Sequence, residues 1–580
     1  MKKLFKKTMV LGLAAFCGMS TVTFSGCGKG GSLGDNYEEE IDKNRTQIYV
    51  EIFNGGYGRN WLDVLKADFE KDNPQYQVMI TAAKRDAYTI STAISTGNGT
   101  ADVYFTSGAM YYKNLIDTDN LVDLTDIYDN KAEGSEALAV KDKIVDGQLY
   151  KKAYSKQDGS GIYCLPYCSS FTGMIIDMDL FIEKGWCEFA GATDKEALSA
   201  QGITYTENNG KLYFASSTGA TNYTAGDVIL SQGRDGKFGT YDDGQPTTME
   251  TFELMLAKIQ ASGTYNPFIY SVEQADYVDN ITMSVCATYE GVANYDIFNT
   301  SKGTYSRTGE EITYENGYKA YEMEGWRKGA EFQYKYLTRP DVSYATEVKN
   351  NLTFEEAKNK FLASYKIASS KNKAGAMLVD GEWWENEART MFDALGRTDA
   401  SRGYGQRDYR WLILPYMEGA YGLDGNGKGN IINSYGEGLV FVDKNTTSKR
   451  ANVEGAKLLV EYSCRDKYIK EMAKIGGYRP YRVDYTDTYS ETTPYVRNLL
   501  EMLSDEENIL VYSRNVRQYA DNFMYYGVNT ASKQYLHVNA FSYFYNTSTN
   551  TVDQYMGMMK PSQSTWAGYI DAMNKALGNS

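Results

Sequence analysis

The sequence predicts an α/β fold with a parallel sheet, divided into two lobes. Three observations lead there. An early strand–helix–strand run with short joints occupies residues 46–80, and consecutive strands joined through a helix pair in parallel. Roughly 550 residues follow the N-terminal leader, with 42% hydrophobic and 23% charged residues over the whole chain, enough to build two cores. The middle of the chain then opens its helices with repeated Thr-x-x-Glu capping boxes.

The first 26 residues form a leader. Lys2, Lys3, Lys6 and Lys7 precede an apolar stretch from Met9 to Met19, too short to span a bilayer as a permanent helix. Residues 28–45 are Gly-rich and then acidic, with little to bury, so residues 27–45 are expected to be a flexible tether. Order is predicted to begin at Thr46–Phe53, a β-rich run ending in Asn54-Gly55-Gly56-Tyr57-Gly58. Trp61, Leu62, Leu65 and Phe69 then share one helical face. Pro74 stops that helix, Tyr76–Ile80 is the second strand, and Ala101–Phe105 is another, ending in Ser107-Gly108. In open α/β sheets, ligands sit beyond the carboxyl ends of the strands, where Asn54–Gly58 and Ser107-Gly108 both fall. The first of these is equally readable as a plain β-to-α turn, and no nucleotide fingerprint is present. Thr193, Thr247 and Thr353, each followed by Glu three residues later, are predicted to start helices.

Charge and rare residues exclude several functions. Loss of the four leader lysines takes the formal charge from −15 to −19, a surface that repels nucleic acid. His537 is the only histidine, so Ser-His-Asp, Cys-His and most zinc chemistries lack their proton carrier or ligands; His537 reads as structural. Carboxylate-pair chemistry survives, because 75 acidic residues are available. Past Cys27 only Cys164, Cys168, Cys187, Cys286 and Cys464 remain, which is no disulfide scaffold. Cys164 and Cys168 flank Pro166 and read either as a pair or, preferably, as free core residues. Asp235, Asp242 and Asp243 lie in a Gly-rich loop (Gly233–Gly244) with two readings, a structural Ca²⁺ site or a surface turn. The spacing is not that of an EF-hand. No other cofactor is expected.

Phe24-Ser25-Gly26-Cys27 resembles the lipobox of bacterial lipoproteins, which implies cleavage before Cys27 and an acyl anchor on its sulfur. Further along, Thr96–Val103, Leu121–Asp126, Gly161–Pro166 with Gly173–Phe181, Pro246–Phe252, Ala374–Trp384, Leu412–Pro415 and Gly476–Pro480 follow one another as in the family 1 extracellular solute-binding proteins, the sugar-binding subunits of ABC importers. The Ala374–Trp384 segment is the most specific match. Ile176-Asp177-Met178-Asp179 departs from the family's usual Tyr-Asn-Lys-Asp. The resemblance implies a two-lobed periplasmic-binding-protein-like fold (type II) with a cleft. Its first lobe would comprise 46–167 with a return segment at 416–475; 168–415 would make the second lobe, and 476–580 a C-terminal segment mostly on the second. Residues 161–181 and Leu412–Pro415 would be the crossovers.

By position, Trp383 would be the sugar-stacking residue and Trp384 its neighbour, since an aromatic face suits the C–H face of a pyranose. Both can equally be core. Asn54, Tyr57, Asp86, Ser107, Ser169 and Ser170 are further cleft candidates, followed by Tyr435, Glu437, Arg479 and Tyr545. The 51 tyrosines suit a wet, hydroxyl-bearing ligand surface. The expected protein is a monomer anchored at the extracellular face of the membrane that captures an oligosaccharide and hands it to an ABC permease, without chemistry. A surface glycoside hydrolase with paired carboxylates, or a sugar-sensing lipoprotein outside transport, are the alternatives.

Overall fold

The alternation of buried Ile48, Val50 and Ile52 in Thr46–Phe53 (β1) makes it a strand with one fully covered face. The helix that follows, Asn60–Asp72, lays Trp61, Leu62, Leu65 and Phe69 against it, all buried. Each such side chain contributes roughly 1.5–3 kcal/mol by leaving water. Tyr76–Ala83 (β2) then pairs with β1 in parallel, from Thr46 opposite Tyr76 to Phe53 opposite Ala83. The structure is a computed structural model and describes residues 39–108, 112–215, 227–338, 352–364, 368–398, 407–521, 539–545 and 550–576.

Val103–Phe105 (β3) joins the other side of β1, also in parallel. Leu165–Asp177 (β4) is a 13-residue strand, and Tyr205–Asn208 (β5) with Lys211–Phe214 (β6) makes a peripheral hairpin. Tyr265–Ile269 (β7) follows, then a second hairpin of Gly303–Tyr305 (β8) and Glu310–Ile312 (β9). Ala374–Gly381 (β10), Tyr409–Trp411 (β11), Asn430–Val442 (β12) and Ile509–Tyr512 (β13) complete the set. Nine of these strands form one sheet in the order β2-β1-β3-β12-β4-β10-β7, with β11 on β4 and β13 on β12.

The two long strands tie the sheet together. β12 pairs with β3 at Val440–Val442 and with β4 between Leu165 and Phe171, while the far end of β4 pairs with β10 and β11. Register breaks at Ser434/Gly436 and Gly438/Leu439 bend β12 where the sheet changes partners. One core cluster gathers β1–β3 with the helices Val453–Ser463 and Asp466–Ala473; another gathers β7 and β10 around Phe252, Phe268 and Met377. A 26-residue helix, Ala275–Thr300, crosses the long strands and is broken at Gly291 (φ 73°). The carbonyls freed at the break are not wasted: Tyr421 and Gly422 N–H donate to Tyr289 and Thr288 O, each at 2.9 Å. Arg307 also donates to Tyr289 O and lies over the rings of Tyr289 and Tyr421.

Several expectations are corrected. Part of the predicted tether is docked: Gln77 binds Glu40 O and Asp42 N, and Arg45 pairs with Glu70 at 2.9 Å. Leu412–Pro415 lies outside the long strands. It follows β11, which pairs with the Ile175–Asp177 end of β4, while the strand that pairs with both β3 and β4 is β12. Thr353 caps its helix with Glu356 as predicted. Near Thr247, the cap is Thr248 with Thr251. Near Thr193, Asp194 binds the Gly191 N–H instead. Cys164 and Cys168 are free and buried, with burial pushing both thiols up, Cys168 to about 12. Among the described residues, no helix is long and apolar enough to cross a membrane.

Candidate functional site

Two strand ends meet at the candidate site. After β1, the chain turns through Asn54-Gly-Gly-Tyr-Gly58, closed by Gly58 N–H to Gly55 O at 3.0 Å with Gly58 at φ 63°, a conformation that favours glycine. After β10, Gly381 leads into Glu382 and Trp383, and Glu382 N–H returns to Phe171 O on β4. The two turns are in direct contact. A side chain on Gly56 would fall 1.9 Å from Trp383 Cδ1, and one on Gly381 2.4 Å from Cζ2, so the indole sits between two bare backbones. Asn386 Nδ2 closes the junction by donating to Gly56 O at 2.6 Å.

Aromatic rings surround the same indole. Tyr57 and Tyr277 approach it edge-on, with centroids 5.8 and 5.6 Å away, and Tyr435 lies at 6.3 Å. Tyr277 in turn meets Tyr435 at 5.2 Å and Phe354 at 6.4 Å. Trp383 is only 7% exposed, whereas Tyr435 is 39% exposed. The structure therefore brings together Tyr57, Trp383 and Tyr435 of the predicted set, but it covers the indole with Gly56. Asn54 is exposed on the same turn, and Ser107 is half-buried. Ser170 Oγ donates to Gly436 O at 2.7 Å, and a side chain at Gly436 would stand 3.7 Å from Gly108, which links the Ser107-Gly108 turn to β12.

Beneath the aromatic ring system lies a layer of buried acids. Glu382 is wholly buried; Tyr57 O–H donates to its Oε1, and Phe171 N–H donates to its Oε2 at 3.0 Å. Burial pushes this carboxyl up to about 8 against the pull of both donors. Asp380 is raised to about 6 by burial, opposed by Lys358 at 3.5 Å. Tyr277, Glu382 and Asn386 escaped the sequence reading. Glu382 and Asn386 lie inside or next to the Gly-Glu-Trp-Trp segment, and Tyr277 follows the carboxyl end of β7, so strand-end position was the available signal.

Other predicted residues are placed elsewhere. Trp384 is core, fully buried among Phe361, Tyr409 and Tyr495 at 5.1–5.6 Å. Arg479 is also fully buried, donating to Ser463 O at 2.5 Å and lying over Trp61 and Tyr481. Ser169 and Glu437 are cross-strand partners, both inaccessible, and pleating turns them away from the face of Ser170 and Gly436. Burial pushes Glu437 to about 7, and Ser434 Oγ donates to it. Asp86 is exposed and caps the helix Ala87–Ser95 through Thr89 N–H at 2.8 Å, a bond that holds its carboxyl below the ordinary value. Tyr545 stacks on Phe541 in the second core cluster. Cys27 and His537 lie outside the described residues.

The three acids of the Gly233–Gly244 loop are engaged by its own backbone. Asp242 Oδ2 accepts the N–H of Arg234 and Asp235, Asp243 accepts that of Gly239, and Asp235 that of Lys237. These carboxylates hold the loop's own backbone, as in a polar turn. No group of three acidic, His or Cys side chains fit for a metal occurs among the described residues. A cavity of about 400 Å³ opens elsewhere, lined by Tyr478, Tyr481, Arg482, Asp484, Glu506 and Val511 among others; it contains none of the predicted ligand residues.

A mixed α/β sheet with parallel outer strands, long shared strands and a strand-end aromatic cluster defines the class: a periplasmic-binding-protein-like fold. Residues 65–326, somewhat under half of the chain, match the family model of the bacterial extracellular solute-binding proteins. The chain is similar in structure to a probable secreted solute-binding lipoprotein from Streptomyces coelicolor, with TM-score 0.51 and 12% identity over 91% of this chain and 100% of that one. It also resembles a chitin oligosaccharide binding protein (TM-score 0.49, 13% identity, 92% and 100% covered). A third likeness is to the apo-form of RafE from Streptococcus pneumoniae (TM-score 0.47, 13% identity, 88% and 100% covered). The Streptomyces likeness bears on the fold alone. No curated protein matches the chain.

Proposed function

We propose that this protein captures a carbohydrate, an oligosaccharide, outside the cell and delivers it to an ABC permease without altering it. One observation carries the reading: Trp383, Tyr57, Tyr277 and Tyr435 converge where β1 and β10 end, in a chain with a solute-binding family segment. Indole and phenol rings offer flat apolar faces with hydroxyls at the margin, the combination a pyranose needs. In this reading Gly56 occupies the place of the sugar's C–H face, and the contact with Trp383 belongs to a closed state. Separation of the two strand-end turns uncovers the indole, and β4 and β12 act as the hinge. Lobes meeting along this seam, an acyl anchor at Cys27 and a monomeric state complete the reading.

Titration calorimetry of the mature chain against a panel of oligosaccharides tests it. At least one glycan is expected to bind. No heat with any sugar, together with binding of a peptide or polyamine, overturns the ligand class.

A further inference from the structure

Two side chains fasten the contact between the two turns: Asn386, which donates to Gly56 O, and the acid Glu382. Glu382 is the residue just before the indole, and its carboxyl has no exposed surface. One oxygen receives the Tyr57 hydroxyl from the β1 turn; the other receives the Phe171 N–H from β4. Its main-chain O accepts the Tyr495 hydroxyl at 3.0 Å, which anchors the residue from the helix Pro494–Ser504. Glu382 is thus fixed on its own side of the seam, and of its own bonds the one shared with Tyr57 reaches across, next to that of Asn386 to Gly56 O.

The groups facing this carboxyl are almost all neutral or acidic. Tyr57 comes from the β1 turn, Cys168 and the Phe171 N–H from β4, Tyr277 from the long helix, Tyr495 from the helix behind, and Asp380 from β10 itself. Lys358, the nearby buried cation, is engaged by Glu387 at 2.6 Å and by Asp380. No lysine or arginine among the described residues forms an ion pair with Glu382. A buried carboxylate without a cation is expensive, and the group escapes the cost by holding a proton.

We infer that Glu382 is a positioning residue that, carrying a proton on Oε1 and donating it to the Tyr57 hydroxyl oxygen while Oε2 accepts the Phe171 N–H, clamps Tyr57 beside the Gly56–Trp383 contact, so that parting the two turns releases this proton to solvent. The inference rests on the proposed opening of the seam. In the closed form the acid titrates at about 8. Once solvated, it returns toward the ordinary carboxyl range near 4.3. Because the closed form binds the extra proton, closure is favoured at low pH and weakens as pH rises between these values. The opening constant then grows about tenfold per pH unit across that window. Capture of a solute that closes the seam takes up one proton near pH 7. Tyr57 does not compete, since burial and Glu382 hold its phenol well above the ordinary value.

The test uses the mature chain without ligand. Small-angle scattering reports opening, and acrylamide quenching of Trp383, isolated as the difference between wild type and Trp383→Phe, reports exposure of the indole. Wild type is expected to open progressively from pH 6 to pH 8.5. Glu382→Gln, which mimics the protonated acid, is expected to stay closed throughout. Tyr57→Phe keeps the acid but removes the bond across the seam, and is expected to open at every pH; it serves as the second variant if Glu382→Gln does not fold. A wild-type profile flat with pH, or a Glu382→Gln profile that tracks wild type, overturns the inference. If oligosaccharides bind at fixed pH and close the seam while opening shows no pH dependence, the inference fails and the capture reading stands. A chain that never opens, with or without oligosaccharide, overturns both.

Discussion

At the scale of single residues, adjacent tryptophans have opposite fates. Trp384 has aromatic neighbours on all sides and no exposed surface, while Trp383 faces two glycines and three tyrosines in a seam. Trp384→Ala is therefore expected to cost about 3–5 kcal/mol of stability, seen as a lowered midpoint in urea. Trp383→Ala should instead weaken oligosaccharide binding about 100-fold, roughly 2.7 kcal/mol, measured by calorimetry. Gly56→Ala has no room beside the indole and should hold the seam apart, giving a larger radius of gyration in scattering. An unchanged radius would show that the loop yields freely. The sequence revealed that two indoles follow a strand-ending glycine, but it could not reveal which one turns inward, because the tight turn after Gly381 breaks the strand's alternation. Arg479 misled for a similar reason. A guanidinium usually faces water, yet here the Ser463 carbonyl and two aromatic rings take it into the core.

Among the elements, those with strong periodicity were legible and those set by local hydrogen bonding were not. β1 has the predicted bounds, and the first helix buries the four residues its spacing selected. Around Thr247 and Thr248, two adjacent hydroxyls compete for one cap, and the later one wins by pairing with Thr251. The Gly233–Gly244 loop shows the same limit: acidic residues that attract a cation on paper are satisfied by N–H groups of their own turn. Chelation by EDTA is accordingly expected to leave the melting temperature unchanged. A rise of several degrees on adding Ca²⁺ would contradict this account of the loop. Burial, joined by the charge of Asp235, raises Asp242 to about 6. A carboxyl so raised destabilises the fold as pH climbs from the ordinary aspartate value through 6, a loss Asp242→Asn should reduce in pH-dependent melts.

For the whole molecule, the strand order puts the two long strands, β4 and β12, in the middle of the sheet, and the proposed opening makes them the hinge. The register breaks in β12 lie within its pairing with β4, where the ladder is already interrupted and bending is least costly. The α/β class and the first βαβ unit could be read from periodicity alone. The second long strand could not, because Asn430–Val442 scatters Asn, Ser, Gly and Glu through its first nine residues and leaves only Leu439–Val442 as an apolar run. The central claim is that an oligosaccharide is gripped by Trp383 in the seam. A crystal structure with a glycan that binds in calorimetry tests it most directly. The expected result is a pyranose ring stacked on the indole, with Gly56 displaced from it and Tyr57, Tyr277 or Tyr435 bound to ring hydroxyls. A glycan seated elsewhere, such as the cavity beside Tyr478 and Arg482, with Gly56 still against Trp383, would contradict it.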